Sequence, residues 1–136
     1  GGGWKQLENQ SVDNEEFKNR ILSISNLSKI HNYYGMIEQT GSIFVECENG
    51  FLHASSFSDL IIRNHHSHSP EEYGSKGLIQ LLSVIPKSYP GHSILTEDLG
   101  TIYGVDNCKC GRMGKYLKVH GRIKSAEIRG CSDTYS

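Results

Sequence analysis

The sequence has almost no excess of either charge: 14 Lys and Arg stand against 15 Asp and Glu, a formal net charge of -1. This excludes the strongly basic footprint of a chain that lives on nucleic acid. It excludes an acidic tail or a disordered polyelectrolyte equally well. No apolar run approaches the roughly 18 residues of a membrane-spanning helix. The first residues, Gly1-Gly2-Gly3-Trp4-Lys5, include neither an initiating Met nor the apolar region of a secretory signal. They are expected to be a tag remnant, a processed end or the start of a piece of something longer. Apolar residues are also scarce, at 36 %, against roughly 45–50 % in an average globular chain, a figure that counts Gly. The 15 Gly make up the number but add no side-chain volume to a core. One domain is the natural expectation for 136 residues, thinly cored and completed by a partner, a metal or missing sequence.

There are 4 Cys: Cys47, Cys108, Cys110 and Cys131. Without a secretory signal the cytoplasm is the expected compartment, and disulfides are a poor default there. Cys108 and Cys110 are one residue apart, an awkward spacing for bonding each other. Thiols in such a setting more often bind metal or do chemistry.

The pattern along the chain predicts one amphipathic helix over 13–24. Asp13 can cap it, Glu16 completes a capping box, and Phe17, Ile21 and Ile24 share a face. A short strand is expected over Lys29–Tyr33, ending at Tyr34-Gly35. After residue 40 the chain turns to short β segments. Ser42–Cys47 and Phe51–Ala54 flank Asn49-Gly50, a strong hairpin signal. Leu60–Arg63, Gly77–Ile85, Ser93–Thr96, Thr101–Gly104, Lys115–Val119 and Ala126–Arg129 complete the set. Residues 64–75 read as a polar loop. The fold class is α+β, β-rich, with strands mainly antiparallel.

Five constellations could carry chemistry. Tyr34-Gly35-Met36-Ile37-Glu38 sets an aromatic beside a glycine turn with a carboxylate following. It suits a stacked planar ring with a cation on Glu38, or simply a turn with a solvated Glu. Thr96-Glu97-Asp98-Leu99-Gly100 places a carboxylate where it could hydrogen-bond a diol such as a ribose, or only its own turn. Arg122 after Gly121 could span a phosphate or ribose with its planar fork, or pair with a nearby carboxylate. Cys47, His53, Cys108 and Cys110 supply the three thiolates and one imidazole that tetrahedral zinc accepts. Buried free thiols and a satisfied His are the competing reading.

The metal reading carries a geometric condition. A two-residue turn at Asn49-Gly50 would send His53 to the opposite face from Cys47. A three-residue turn with a Gly bulge would put Cys47, Phe51 and His53 on one side. The fifth constellation is Cys131 in Arg129-Gly130-Cys131-Ser132-Asp133, where Arg129 favours the thiolate modestly. His65, His66 and His68 crowd a polar loop best read as solvated. His92 lies between Gly91 and Ser93, but no spacing supplies the acid of a hydrolase triad.

Taken in order, YYGMIEQTG, ECENGFLH, SYPGHSILTEDLG and CKCGRMGKYLKVHGRIKSAEIRGCSD resemble the carboxy-terminal region of the fatty acyl-protein synthetase family. That family supplies the acyl-activating component of bacterial luminescence fatty-acid reductase. It is related to phenylacetate–CoA ligases within the adenylate-forming superfamily. The resemblance covers essentially the whole chain. It implies an ATP- and Mg2+-dependent ligase that forms an acyl-adenylate from a fatty acid, or another carboxylic acid, and passes the acyl group to an enzyme thiol. Cys131 occupies the matching place for that thiol, and an acyl reductase would be the partner that receives the product.

Other residues carry over singly. Gly2 and Gly3 match the Gly-rich segment beside adenine, though Trp4 and Lys5 depart from the usual pattern. Tyr34, with Gly35 after it, matches the aromatic that stacks on adenine. Glu38 matches the acid associated with magnesium, while Ile37 replaces the usual hydroxyl. Asp98 matches the ribose-binding Asp of a Thr-Gly-Asp signature, with Glu97 in place of Gly. Arg122 matches the Gly-Arg of the hinge. Cys47, His53, Cys108 and Cys110 resemble a structural zinc site of some phenylacetate–CoA ligase relatives.

No Ser/Thr/Gly-rich phosphate loop is present, and most of the acyl pocket belongs upstream of this region. The expectation is therefore one structural unit over 1–136, with an adenine-side segment to residue 40 and a β-rich segment after it. It would be part of a larger fold and inactive alone. A phenylacetate-type acyl-CoA ligase fragment and a non-enzymatic zinc-stabilised binding module are the alternatives.

Overall fold

A computed structural model describes residues 12–87 and 91–123. The chain divides into two compact units between Ile30 and His31, the second running through Ile123. Tyr33 and Tyr34 pair with Val45 and Phe44, so β structure begins near the start of the second unit.

In the first unit, helix α1 spans Asn14–Ile24. Asp13 Oδ1 accepts the Glu16 N–H at 2.8 Å, which satisfies one of the donors that a helix start leaves unpaired. Glu15 and Glu16 put negative charge in the first turn, where the helix dipole favours it. No residue of α1 is buried. Phe17 is 43 % exposed and Ile24 86 %, so the expected apolar stripe exists but the described residues do not cover it.

The second unit is one antiparallel sheet of seven strands in the order β1-β2-β3-β7-β6-β5-β4. The strands are β1 Tyr33–Tyr34, β2 Phe44–Glu46, β3 Leu52–His53, β4 Ser58–Arg63, β5 Gly77–Ser83, β6 Ser93–Val105 and β7 Lys115–Arg122. A single 3-10 turn, Ile37–Gln39, follows β1. Alternation explains which side chains turn inward. Leu60 and Ile62 of β4 face Leu81 and Ile79 of β5. With Phe44, Leu52, Ile102 and Leu117 they form the core, and Tyr34, Met36, Ala54 and Val119 pack against it.

The sheet curls, and polar contacts tie its ends together. Ser58 Oγ donates to Ser42 Oγ at 2.9 Å. Lys115 Nζ reaches both Asp59 and the Leu60 carbonyl of edge strand β4, at 2.9 Å to the carbonyl. The Glu71 N–H takes the Ile62 carbonyl at 2.8 Å. Two carbonyls of the outer edge are thereby occupied, which blunts a template for pairing with another chain.

Three expectations differ from this arrangement. The strand expected over Lys29–Tyr33 begins only at Tyr33. Ser93–Thr96 and Thr101–Gly104 are not two strands but parts of the 13-residue β6, whose glycines mark irregularities inside the strand rather than its ends. Asp98 accordingly lies within a strand and not in a turn. The strand expected over Ala126–Arg129 lies outside the described residues.

Leu117 is fully buried at the centre of the sheet. Leu117→Ala is expected to destabilise the chain by about 2–5 kcal/mol through lost burial and the cavity left behind. The exposed Leu95→Ala should change stability by no more than about 0.5 kcal/mol. Chemical denaturation of the two variants beside the parent chain checks the contrast.

Candidate functional site

The β2–β3 hairpin turns through three residues. The Gly50 N–H bonds the Cys47 carbonyl at 2.9 Å, and the Cys47 N–H bonds the Phe51 carbonyl at 2.8 Å. Gly50 has φ +75°, the left-handed value of a Gly bulge closing such a loop. Glu46 then pairs with Leu52, and Val45 with His53. Cys47, Phe51 and His53 therefore share a face, the condition that a two-residue turn would have broken.

The β6–β7 connection repeats the device. The Gly111 N–H bonds the Cys108 carbonyl at 3.0 Å, and Gly111 has φ +78°. Each turn is thus a Cys-x-x-Gly segment whose last residue needs the left-handed conformation. The pairing of β3 with β7 through His53 and Tyr116 brings the two turns together. The ligand atoms of Cys47, His53, Cys108 and Cys110 all lie within 4.8 Å of one another. His53 Nε2 is 3.4 Å from Cys110 Sγ.

The surroundings suit a metal. Tetrahedral zinc with bonds of about 2.3 Å to sulfur and 2.0 Å to nitrogen needs ligand atoms roughly 3.5–3.8 Å apart. Cys47 is 2 % exposed and Cys108 8 %, and the three described thiols are free of disulfides. Burial pulls the Cys47 thiol up, but hydrogen bonds to the backbone of Phe51 and Asn49, and then the Cys110 and Cys108 thiols, hold it below its ordinary value. The Arg112 N–H points to Cys110 Sγ at 3.4 Å. Burial, then the Arg112 charge, lowers His53, favouring the neutral imidazole that ligates metals. His53 Nδ1 is buried without a hydrogen-bond partner, with the Met113 backbone nearby.

Aromatic rings wall the group. His53 stacks on Tyr116 at 5.8 Å, and Phe51 meets Tyr116 edge-on at 5.0 Å. The sequence carries no spacing signal for Tyr116, because only the pairing of β3 with β7 puts it there.

A second group forms where β1, β6 and β7 meet. The Tyr34 hydroxyl donates to Asp98 Oδ2 at 2.7 Å, across 64 residues of sequence. Arg122 Nε is 3.5 Å from Asp98 Oδ1, since Asp98 and Arg122 are register partners. Burial, then the Asp98 charge, pushes the Tyr34 phenol far above its usual range, so Tyr34 remains a donor at any physiological pH. A carboxylate held at one oxygen by a phenol and approached at the other by a guanidinium is rigidly aimed. It can still accept further hydrogen bonds from a diol.

The remaining candidates are placed differently. Gly35, Glu38 and Ile37 are exposed around the 3-10 turn, and no hydrogen bond among the described residues joins the Glu38 side chain to the Tyr34–Asp98–Arg122 group. His65, His66 and His68 lie exposed on their loop, and His92 is exposed. Gly2, Gly3, Trp4, Lys5 and Cys131 lie outside the described residues.

Comparison with known proteins follows this geometry. The family model "Acyl-protein synthetase, LuxE" matches residues 1–136. The chain is 25 % identical over 141 aligned positions to a long-chain-fatty-acid–luciferin-component ligase of Vibrio harveyi. That alignment covers 97 % of this chain and 34 % of the relative, so the chain spans about a third of the relative's length. No solved structure matches the chain. The match of the family model from the first residue to the last shows that this chain belongs to the LuxE acyl-protein synthetase family.

Proposed function

We propose that this chain is the carboxy-terminal, nucleotide-binding part of an ATP-dependent ligase that activates a long-chain fatty acid and transfers it to a thiol. The observation that carries the reading is the convergence of Tyr34, Asp98 and Arg122 in a member of the acyl-protein synthetase family. The three residues have the chemistry to stack on a base, accept a ribose diol and approach a ribose or phosphate.

In the proposed first step a fatty-acid carboxylate oxygen attacks the α-phosphorus of ATP, and the bond to the bridging oxygen breaks. Acyl-adenylate and pyrophosphate result. In the second step a thiolate attacks the acyl carbon, a C–S bond forms, and AMP leaves with the C–O electron pair. Cys131 is the proposed acceptor, and a reductase partner would take the acyl group from it. Asp98 and Tyr34 hold the nucleoside still during both steps. Glu38 would lie toward the Mg2+ that travels with the phosphates, a mode in which one carboxylate plus substrate oxygens suffices.

The Cys47–His53–Cys108–Cys110 group is proposed to hold a structural zinc. Four protein ligands close the coordination shell and leave no position for substrate. Bound there, the ion would compensate three crowded thiolates and lock the two Cys-x-x-Gly turns.

Three outcomes are expected. Elemental analysis of the well-folded, chelator-free chain should find about one zinc per molecule, and Cys47→Ser or His53→Ala should lower that content sharply. A folded parent chain without metal would remove the proposal. In the full-length synthetase, labelled fatty acid with ATP should leave a hydroxylamine-sensitive acyl group that Cys131→Ser abolishes. Asp98→Ala should raise the KM for ATP roughly tenfold or more, as expected for lost charge-assisted hydrogen bonds. ATP-dependent release of acyl-CoA, unaffected by Cys131→Ser, would favour a phenylacetate-type CoA ligase instead.

A further inference from the structure

Strand β6 is irregular where it carries Asp98. Gln80 of β5 pairs with Leu95, and Leu78 with Leu99. Thr96, Glu97 and Asp98 therefore stand opposite Ile79 alone, three residues against one. A bulge of this kind leaves ladder groups unpaired and re-aims the side chains within it. Without it, Asp98 would follow the strict alternation of the strand.

The unpaired groups find one partner. Thr96 is 6 % exposed, and its hydroxyl donates to the Ile79 carbonyl at 2.8 Å. The same oxygen accepts the Asp98 N–H at 3.1 Å. One buried side chain thus satisfies the carbonyl opposite the bulge and the amide of the residue that the bulge presents. On its other side the bulge is tied to the residue after β7: the Ile123 N–H bonds the Glu97 carbonyl at 3.0 Å.

We infer that Thr96 is a positioning residue of the nucleotide site: its hydroxyl closes the β6 bulge and so sets the angle at which Asp98, clasped by Tyr34, meets a ribose diol. The inference rests on the nucleotide reading proposed above and adds a residue to it. Thr96 touches no substrate in this scheme and acts through Asp98. Its loss should therefore change how the sugar is bound and leave the chemistry at the phosphate intact. The hydroxyl is the essential part, and the methyl group only packs.

The test uses the full-length synthetase, with ATP–pyrophosphate exchange in the presence of fatty acid as the readout and 2′-deoxy-ATP as the second nucleotide. The parent should prefer ATP over 2′-deoxy-ATP, and Asp98→Ala should erase that preference. Thr96→Val, which keeps the shape and removes the hydroxyl, should raise the KM for ATP about tenfold. It should narrow the preference by a similar factor and leave kcat within about twofold. Thr96→Ser should stay close to the parent in both.

A Thr96→Val protein that retains the parent's KM and preference overturns the inference, as does one that loses kcat and thermal stability without any change in sugar preference. If Thr96→Val does not fold, Thr96→Ser decides: loss of the preference with the hydroxyl present overturns the inference. An unaltered preference in Asp98→Ala, or no exchange by the parent, overturns the nucleotide reading itself and this inference with it.

Discussion

Strand β7 alternates from Lys115 to Val119 and then shifts register against β6 near Gly121, and both candidate groups of the chain depend on where it places its residues. Tyr116 turns to the thiol cluster, while the next residue, Leu117, is fully buried in the core. Val119 returns to the core. At the far end Arg122 stands opposite Asp98. One eight-residue strand therefore places a wall of the candidate metal site, the middle of the hydrophobic core and one arm of the candidate nucleotide site. A slip of register by one residue would exchange the inward and outward sets. Burial of Leu117 between β3 and β6 opposes that slip. The same strand begins with Lys115, whose ammonium caps the Leu60 carbonyl on the opposite edge of the sheet. The core is small, and polar contacts of this kind help to hold the curl.

The thiol cluster solves a problem that burial creates. Thiols packed within 4.8 Å of each other and of an imidazole cannot all ionise without a compensating cation, because like charges at that range repel strongly. Backbone donors at or just after the two Cys-x-x-Gly turns face Cys47 and Cys110. A divalent ion would offset the thiolate charge, and the aromatic walls of Phe51 and Tyr116 would keep water from competing. A metal held by the cluster would also address the shortage of apolar residues visible in the composition. A cross-link between the two turns would add stability without adding hydrophobic volume, the usual remedy when a domain's core is thin.

Local features were legible in the sequence because local chemistry determines them. The Asp13 cap and its Glu16 partner follow from spacing alone, and so does the turn at Asn49-Gly50. The candidate ligands were legible as residue types. Their grouping required one more inference, that the turn has three residues and not two, since parity along a strand decides the face. Long-range juxtaposition was not legible. Nothing near Tyr34 announces that its hydroxyl meets a carboxylate 64 residues away. The sequence pattern divides the long strand β6 in two because Gly100 and the polar residues 96–98 resemble a turn. Residues 96–98 instead form a bulge within a continuous strand, and an isolated segment offers no means of telling the two apart. The family resemblance named Asp98 and Arg122 separately. Their pairing is a property of the β6–β7 register.

The two groups differ in what they can contribute to chemistry, and the difference follows from their electrostatics. Three of the four Cys/His donors are buried and Cys110 is partly exposed; each faces others of its own set, so a metal held there would be largely enclosed. The Asp98 carboxylate is only partly buried, its side chain 19 % exposed. It is held by a phenol that burial keeps protonated and by a guanidinium that is itself half exposed. A carboxylate in that position retains accepting capacity toward solvent. Charge-assisted hydrogen bonds to it are among the stronger polar interactions available to a ligand. On the proposed reading the closed group would supply rigidity and the open one recognition, and strand β7 carries a wall of the first and Arg122 of the second.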